Sequence, residues 1–205
     1  MDFNIEAANW DNEKRIKRAK IIADKIAKSI EIKENYNAME FGCGTGLLSF
    51  NLCDKFRHIV LIDSSKGMIE VVNKKIQKLN GNSMTALEMD INIDTTLAGN
   101  FDVIYTSMAL HHIVDIETTI KKLYGLLNKD GYLCIVDLVE DDGSFHKKEK
   151  DFDGHNGFNQ SQLQILLEQI GFRDVSTSVF YTDIKVIDGS NINYSLFIMV
   201  ARKSF

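Results

Sequence analysis

Short apolar runs alternate with amphipathic segments through the first two thirds of the chain, and this alternation constrains the fold more than any other feature. The runs are nearly continuous in apolar residues, as expected of strands that are buried on both faces. They span residues 38–41, 58–62, 84–89, 101–106 and 132–138. Helical spacing of apolar residues is found at 47–56, 68–79 and 116–127. We therefore predict five strand-then-helix units that build a parallel sheet with helices on both faces.

The two ends of the chain follow other patterns. Residues 11–30 carry one apolar stripe of a helix, made of Ile16, Ala19, Ile22, Ala23, Ile26 and Ile30. The basic stretch 14–20 within it is predicted to be a solvated helix face. After a helix at 161–170, two β-rich runs at 175–187 and 194–202 have no helix between them, which predicts an antiparallel hairpin at the sheet's edge.

The fold class that follows is α/β, with a Rossmann-like, doubly wound and mostly parallel sheet of about seven strands. A length of 205 residues favours one domain over the whole chain. We divide it into an N-terminal helical cap, a ligand-binding core, a loop that acts as a lid, and a C-terminal helix with its hairpin. These parts are 1–35, 36–138, 139–160 and 161–205.

Composition narrows the function classes. A formal net charge of -5 argues against nucleic acid as a partner, because binding phosphates requires a basic face. With no apolar run long enough to span a bilayer and no signal-peptide pattern, we expect a cytoplasmic protein without a membrane partner, either a monomer or a homodimer. Three cysteines without C-x-x-C spacing predict reduced, buried thiols and no metal site.

A glycine-rich loop, Gly42-Cys43-Gly44-Thr45-Gly46, follows the first strand. Such loops at strand-to-helix turns often bind phosphate, yet this one lacks the third-slot glycine of G-x-G-x-x-G and the lysine of a P-loop. Glu40 before it would repel a pyrophosphate and attract an ammonium group. Asp63 ends the second strand, where a carboxylate can bind a ribose diol, and Asp90 follows the third, beside apolar residues suited to adenine. The three carboxylates favour S-adenosylmethionine over NAD.

The loop pattern E-x-G-x-G-x-G at 40–46 resembles the first motif of the class I S-adenosylmethionine-dependent methyltransferases, in their small-molecule branch (types 11 and 12). Later motifs of that family have counterparts in the same order, and the resemblance covers roughly residues 10–175. The counterparts are Ile62-Asp63, Met89-Asp90-Ile91, F-D-V-I at 101–104, S-M-A-L-H-H at 107–112 and L-L-N-K-D-G-Y-L at 126–133, where Asp130-Gly131 replaces the more frequent P-G-G.

The resemblance implies a methyl transfer from S-adenosylmethionine to a small-molecule acceptor by direct displacement. It implies that Glu40 binds the methionine amino group, that Asp63 binds the ribose and that Asp90 holds adenine. The full set of implied cofactor contacts is Glu40, Gly42, Cys43, Gly44, Gly46, Asp63, Ser64, Met68, Asp90, Ile91, Ser107 and Met108.

Acceptor-side residues are less constrained by the sequence. Four histidines are candidates for a general base, with structural roles as the alternative: His111, His112, His146 and His155. Trp10, Asp137, His112, His146 and His155 are candidates for the acceptor wall. D-G-S-F-H at 142–146 and H-N-G-F at 155–158 resemble a pair found in one bacterial subgroup of the family. A metal on His146, Asp151, Asp153 and His155 is the weaker interpretation of this segment, because their spacing matches no zinc pattern.

Two rival functions remain open. A nicotinamide-dependent oxidoreductase could use a similar sheet, and a regulatory protein could bind S-adenosylmethionine without transferring its methyl group. The fold cannot choose among acceptors or decide whether O, N, C or S is methylated.

Overall fold

A computed structural model describes residues 2–79, 83–94, 96–97, 99–149 and 152–204. One seven-stranded sheet runs through the molecule, in the order β3-β2-β1-β4-β5-β7-β6. The first five strands pair in parallel, and β7 pairs antiparallel with both β5 and β6. The strands are β1 (Asn37–Phe41), β2 (His58–Asp63), β3 (Met84–Glu88), β4 (Phe101–Ser107), β5 (Leu127–Leu138), β6 (Phe172–Ile187) and β7 (Ser190–Lys203).

Side-chain caps define the starts of the longer helices. Asn12, Ser65, Asp115 and Asn159 each accept a hydrogen bond from a backbone N–H in the first turn, which satisfies a donor that the helix leaves unpaired. The helices are α1 (Phe3–Glu6), α2 (Glu13–Ser29), α3 (Leu47–Phe50), α4 (Lys66–Ile76), α5 (Ile116–Leu126) and α6 (Gln160–Ile170), with 3-10 turns at Ala7–Asn9, Leu110–His112 and Ser144–His146.

The core has two layers, one on each face of the sheet. Alternate strand residues enter opposite layers, as Val103 and Tyr105 do on one side and Ile104 on the other. Ile22 and Ile26 of α2 cover the first face, together with residues of α3 and α4, and α5 and α6 cover the second. The prediction of a parallel sheet buried on both faces is confirmed.

The C-terminal hairpin is also confirmed, with β6 at the edge of the sheet and β7 between β5 and β6. Asp188 and Gly189 form its two-residue turn, and both have positive φ, 50° and 76°. This is the turn whose twist matches that of the flanking strands. The Asp-Gly pair was therefore the sequence signal for the hairpin's register.

Three predictions of detail were wrong. Helix α3 ends at Phe50 instead of residue 56, and the residues after it form tight turns. The third of the predicted strand-then-helix units lacks its helix, because the described residues between β3 and β4 form none. Ile16 belongs to the predicted apolar stripe but is 47% exposed, whereas Ala19, Ile22, Ala23, Ile26 and Ile30 are buried. None of the helices described here is long and apolar enough to cross a membrane.

Two residues on α6 provide a test of this packing. Leu167 is fully buried against the second face, and Ile165 on the same helix is 54% exposed. Leu167→Ala is expected to lower the free energy of unfolding by about 2–5 kcal/mol, because it leaves a cavity. Ile165→Ala should change it by less than about 1 kcal/mol. Urea unfolding of both variants measures the difference, and equal effects would contradict the arrangement.

Candidate active site

A cavity of about 240 Å³ opens where β1, β2 and β4 end. Parallel strands place their carboxyl ends at one edge of the sheet, which is where ligands bind in such folds. The cavity is lined by eleven of the twelve residues that were expected to contact a cofactor. They are Glu40, Gly42, Cys43, Gly44, Asp63, Ser64, Met68, Asp90, Ile91, Ser107 and Met108.

Glu40, in β1, is the most deeply buried carboxylate of the cavity lining, at 3% exposed. Its Oε2 accepts from the Ser49 backbone N–H at 3.2 Å and from the Ser49 hydroxyl. The Tyr105 hydroxyl lies 2.6 Å from the same Ser49 oxygen. Burial raises the pKa of Glu40 to about 8, against the stabilising effect of the Ser49 hydrogen bonds. A cationic ligand beside Glu40 would favour its charged form.

The hydrogen bond between Ser49 and Glu40 also bears on whether the glycine-rich loop binds phosphate. Ser49 lies in the first turn of α3, where free N–H groups would face a bound phosphate. Here the amide of Ser49 binds a carboxylate of the protein instead. Helix α3 is also only four residues long, so its dipole is small. The loop therefore has the electrostatics of a cation-binding site.

Asp63 and Asp90 lie at the ends of the next two strands. The two oxygens of Asp63 accept from the backbone N–H groups of Gly44 and Ser65, each at 2.8 Å, and burial raises the pKa of its carboxyl. Each oxygen keeps a lone pair for a ligand hydroxyl. Asp90 forms a turn by accepting from the Asn92 N–H at 2.8 Å while it lines the cavity.

Two glycines of the loop have different roles. Gly42 lines the cavity at φ 66°, and a Cβ there would lie well inside van der Waals distance of the Ala109 Cβ, so the loops after β1 and β4 can touch only without a side chain. Gly46 does not line the cavity, which corrects its expected cofactor contact. Its φ of 78° and the close approach of Phe50 and Leu61 show that it lets α3 pack on β2.

Residues 3–10, near the N-terminus, cover one side of the cavity. The Asn4 side chain accepts from the Ser65 hydroxyl at 3.0 Å and the Gly67 N–H at 2.9 Å, which holds the segment on α4. Phe3 and Trp10 consequently line the cavity.

Arg15 and Arg18 also line this cavity. The prediction that the basic stretch is a solvated face was wrong for these two residues, although Lys14, Lys17 and Lys20 are exposed. Arg15 and Arg18 are three residues apart, on the side of the helix that carries Ala19 and Ile22. This spacing was the sequence signal that they face the protein instead of solvent.

A second cavity, of about 420 Å³, adjoins the first. The two share a wall made of Phe3, Trp10, Arg15, Arg18, Met108 and His112. Met108 has a φ of 55°, a conformation that non-glycine residues seldom adopt and that clusters at functional sites. The second cavity extends toward the hairpin residues Lys185 and Tyr194.

Three of the four candidate histidines line this second cavity: His111, His112 and His146. His111 is 1% exposed, and its Nδ1 lies 2.5 Å from Oδ1 of the fully buried Asp137. Asp137 lines neither cavity, so its expected place on the acceptor wall is corrected to one behind His111. Burial, followed by the nearby His111, lowers the pKa of His112 to about 3 and that of His146 to about 4.

His155 lies outside both cavity walls, contrary to the expectation from sequence. Its ring nitrogen Nε2 is 3.3 Å from the Val114 carbonyl, and its backbone N–H donates to the His111 carbonyl at 2.7 Å. The side chain therefore contributes to neither cavity wall, and the backbone supports the His111 loop.

The segment predicted as a lid is hydrogen-bonded at its two ends, where the Asp141 N–H donates to the Asn156 carbonyl and the Glu140 N–H to that of Phe158. Phe152 stacks on His146 with ring centroids 3.9 Å apart. Asp151 lies outside the described residues. Among the residues that are described, no three His, Cys, Asp or Glu side chains are grouped as metal ligands.

Comparisons with known proteins show what this site is similar to. A family model described as a methyltransferase domain matches residues 39–133. An uncharacterized methyltransferase of Schizosaccharomyces pombe is 36% identical over 121 residues, which are 56% of this chain and 43% of that protein. An uncharacterized methyltransferase of Bacillus mycoides is 26% identical over 87% of this chain and 82% of its own. Over these residues the chain is similar to methyltransferases, the kind of protein that its sequence motifs resemble.

Solved structures agree with this methyltransferase fold. An S-adenosylmethionine-dependent methyltransferase from Aquifex aeolicus superposes with a TM-score of 0.69 at 18% identity, covering 97% of each chain. The Haemonchus contortus phosphoethanolamine N-methyltransferase 2, solved with S-adenosylmethionine, gives 0.74 at 13% identity over 92% of this chain and 53% of its own. Magnesium protoporphyrin IX methyltransferase from Synechocystis, solved with S-adenosylhomocysteine, gives 0.66 at 18% identity over 93% and 84%.

The buried Glu40 gives the stability of this protein a testable pH dependence. Between its ordinary pKa of 4.5 and its folded pKa of about 8, the unfolded chain releases a proton that the folded protein keeps. Wild-type stability therefore falls, relative to Glu40→Gln, by about 1.4 kcal/mol per pH unit in this window and levels off above it. Urea unfolding of both proteins between pH 5 and 9 measures this. A constant difference across the range would show that Glu40 titrates normally.

Proposed function

We propose that this chain transfers a methyl group from S-adenosylmethionine to a small-molecule acceptor by direct displacement. The observation that carries the proposal is that carboxylates from the ends of β1 and β2 and from the turn after β3 line one cavity with a glycine loop. The Haemonchus and Synechocystis enzymes, which were solved with S-adenosylmethionine or S-adenosylhomocysteine, support the choice of cofactor.

The residues present fit that cofactor. A Cβ on Gly44 would come near only the Trp10 ring nitrogen, at 3.8 Å, so the missing side chain leaves room in the cavity. Glu40 faces the same space with no Lys, Arg or His nitrogen within 4.0 Å in the described residues, and a ligand ammonium would supply the missing charge. Asp63 would accept from the ribose hydroxyls with its free lone pairs.

When bound, S-adenosylmethionine supplies a methyl group that its sulfonium already activates. The chain's task is then mainly alignment, which can contribute most of the rate enhancement. Met108 and His112 lie in the wall between the two cavities and would position the acceptor atom. Cys43 is not suited to act as a nucleophile, because burial raises the pKa of its thiol well above the ordinary value.

A proton must leave when the acceptor is a hydroxyl, a thiol or a protonated amine. His111 is the best placed base, since it lines the second cavity while Asp137 holds its Nδ1. That contact fixes the tautomer and leaves the Nε2 lone pair free to take the proton. Asp137 acts as a positioning residue.

Ligand binding tests the cofactor assignment. S-adenosylhomocysteine should raise the melting temperature of the wild type, and NADH should not. Asp63→Asn should weaken S-adenosylhomocysteine binding about ten- to hundredfold by calorimetry, because charge-assisted hydrogen bonds are lost. Glu88→Gln, a matched control at the exposed end of β3 outside the cavity lining, should bind normally. A preference for NADH would favour the oxidoreductase alternative.

Turnover tests the transfer step and the role of Asp137. Methyl-labelled S-adenosylmethionine should transfer label into a metabolite extract, and no transfer despite tight binding would favour a binding protein. Asp137→Asn should lower kcat for a protonated acceptor by about 10²–10⁴-fold, with a smaller loss at higher pH and unchanged cofactor affinity. His155→Gln should keep full activity. Equal losses at all pH values would contradict a positioning role in proton transfer.

A further inference from the structure

The second cavity is strongly basic in a protein of net negative charge. Among the described residues, its charged lining consists of Lys14, Arg15, Arg18 and Lys185 against one carboxylate, Glu149. His112 and His146 add no positive charge near neutral pH, because burial lowers the pKa of both. On a chain with a formal charge of -5, four cations and one anion around one cavity indicate selection for an anionic ligand.

Only part of this positive charge is compensated by the protein. Lys14 pairs with Asp183 at 3.0 Å, and Lys185 lies 3.8 Å from Glu149 while it donates to the Phe145 carbonyl at 2.7 Å. In the described part of the chain, neither arginine has a carboxylate within 4.0 Å. The guanidinium of Arg15 lies on the Trp10 ring, 3.8 Å from its centroid. That of Arg18 donates to the Tyr194 hydroxyl at 3.1 Å.

Bound S-adenosylmethionine would pair with at most one of the two arginines through its carboxylate. S-adenosylmethionine carries a single carboxylate, and Arg15 and Arg18 both border its cavity. One guanidinium therefore remains for a second anion. Lys185 borders only the second cavity, so its charge is directed to the acceptor side.

His146 is an independent sign of a ligand in the same cavity. The residue is 4% exposed, and both ring nitrogens are buried without a hydrogen-bond partner among the residues that the structure describes. A buried polar group without a partner is rare in folded proteins and requires an explanation. The ring is held in place by stacking on Phe152, and it lines the cavity next to His111. A polar group of a bound molecule would satisfy it.

The rest of the lining includes four aromatic side chains. Phe3, Trp10, Phe145 and Tyr194 surround the cavity, and Phe145 lies between the two ends, 5.1 Å from the Tyr194 ring and 5.0 Å from that of His146. Arg18 and Lys185 contact Tyr194 and Phe145 respectively. The cavity thus has a cationic end, an aromatic middle and a histidine end.

We propose that the acceptor is a small aromatic molecule that carries a carboxylate or phosphate group. Its anion binds Arg18 and Lys185, its ring lies among the aromatic side chains, and its nucleophilic group meets His111 and His146. This inference rests on the proposed function, since it names the substrate class for that site.

Binding of matched probes tests the proposal. With S-adenosylhomocysteine saturating, calorimetry compares 4-hydroxybenzoate and 4-hydroxyphenyl phosphate with the uncharged 4-hydroxybenzamide. At least one anion should bind about tenfold tighter than the amide, as expected for charge-assisted recognition. Whichever anion binds tighter identifies the group. In Arg18→Gln and Lys185→Gln that advantage should disappear while the amide affinity stays the same. Lys20→Gln, which removes one exposed charge from the same helix, should keep it.

The outcomes separate this inference from the proposed function. Failure of the wild type to bind S-adenosylhomocysteine would reject the cofactor assignment itself. If S-adenosylhomocysteine binds normally, three outcomes would overturn the anionic acceptor alone. The amide could bind as tightly as both anions, no probe could bind, or the anion preference could survive in both variants.

Discussion

A buried carboxylate at the end of the first strand organises this active site. Glu40 joins β1 to α3 through Ser49, and Ser49 in turn contacts Tyr105 of β4. This contact uses the backbone N–H of Ser49, in the first turn of α3, which would otherwise be available to a phosphate. It also puts a carboxyl group, which a bound cation would hold in its charged form, where folds of this class often place a positive potential. Ligand choice, loop geometry and the pH dependence of stability all follow from this arrangement.

The cofactor side of the site was largely predictable from the sequence. Parallel strands bring their carboxyl ends to one edge, so acidic residues after successive apolar runs must lie near one another. In the structure Glu40, Asp63 and Asp90 all line the first cavity. Gly46 was misassigned because its contacts with Phe50 and Leu61 depend on how a very short helix packs, and the apolar pattern that continues to residue 56 does not reveal where that helix ends.

The second cavity, which is the proposed acceptor side, could not be predicted in the same way. Its wall combines Arg18 from α2, His146 from a 3-10 turn and Lys185 from the hairpin, which are brought together only by tertiary packing. His111 and His112 are neighbours in sequence, yet only His111 contacts Asp137. His155 matched the motif but is oriented toward the Val114 carbonyl. Side-chain direction in loops is set by local backbone geometry, which a single sequence does not display.

The shared wall between the two cavities has a thermodynamic consequence. Because the same side chains, Trp10 and His112 among them, touch both spaces, a molecule in one cavity fixes part of the surface that the other must recognise. The two binding free energies are then linked, and linkage is reciprocal. Whatever factor the methyl donor contributes to acceptor affinity, the acceptor returns to the donor. In the proposed reaction the demethylated cofactor has lost one methyl group and one positive charge at the junction, so this factor differs between the substrate pair and the product pair.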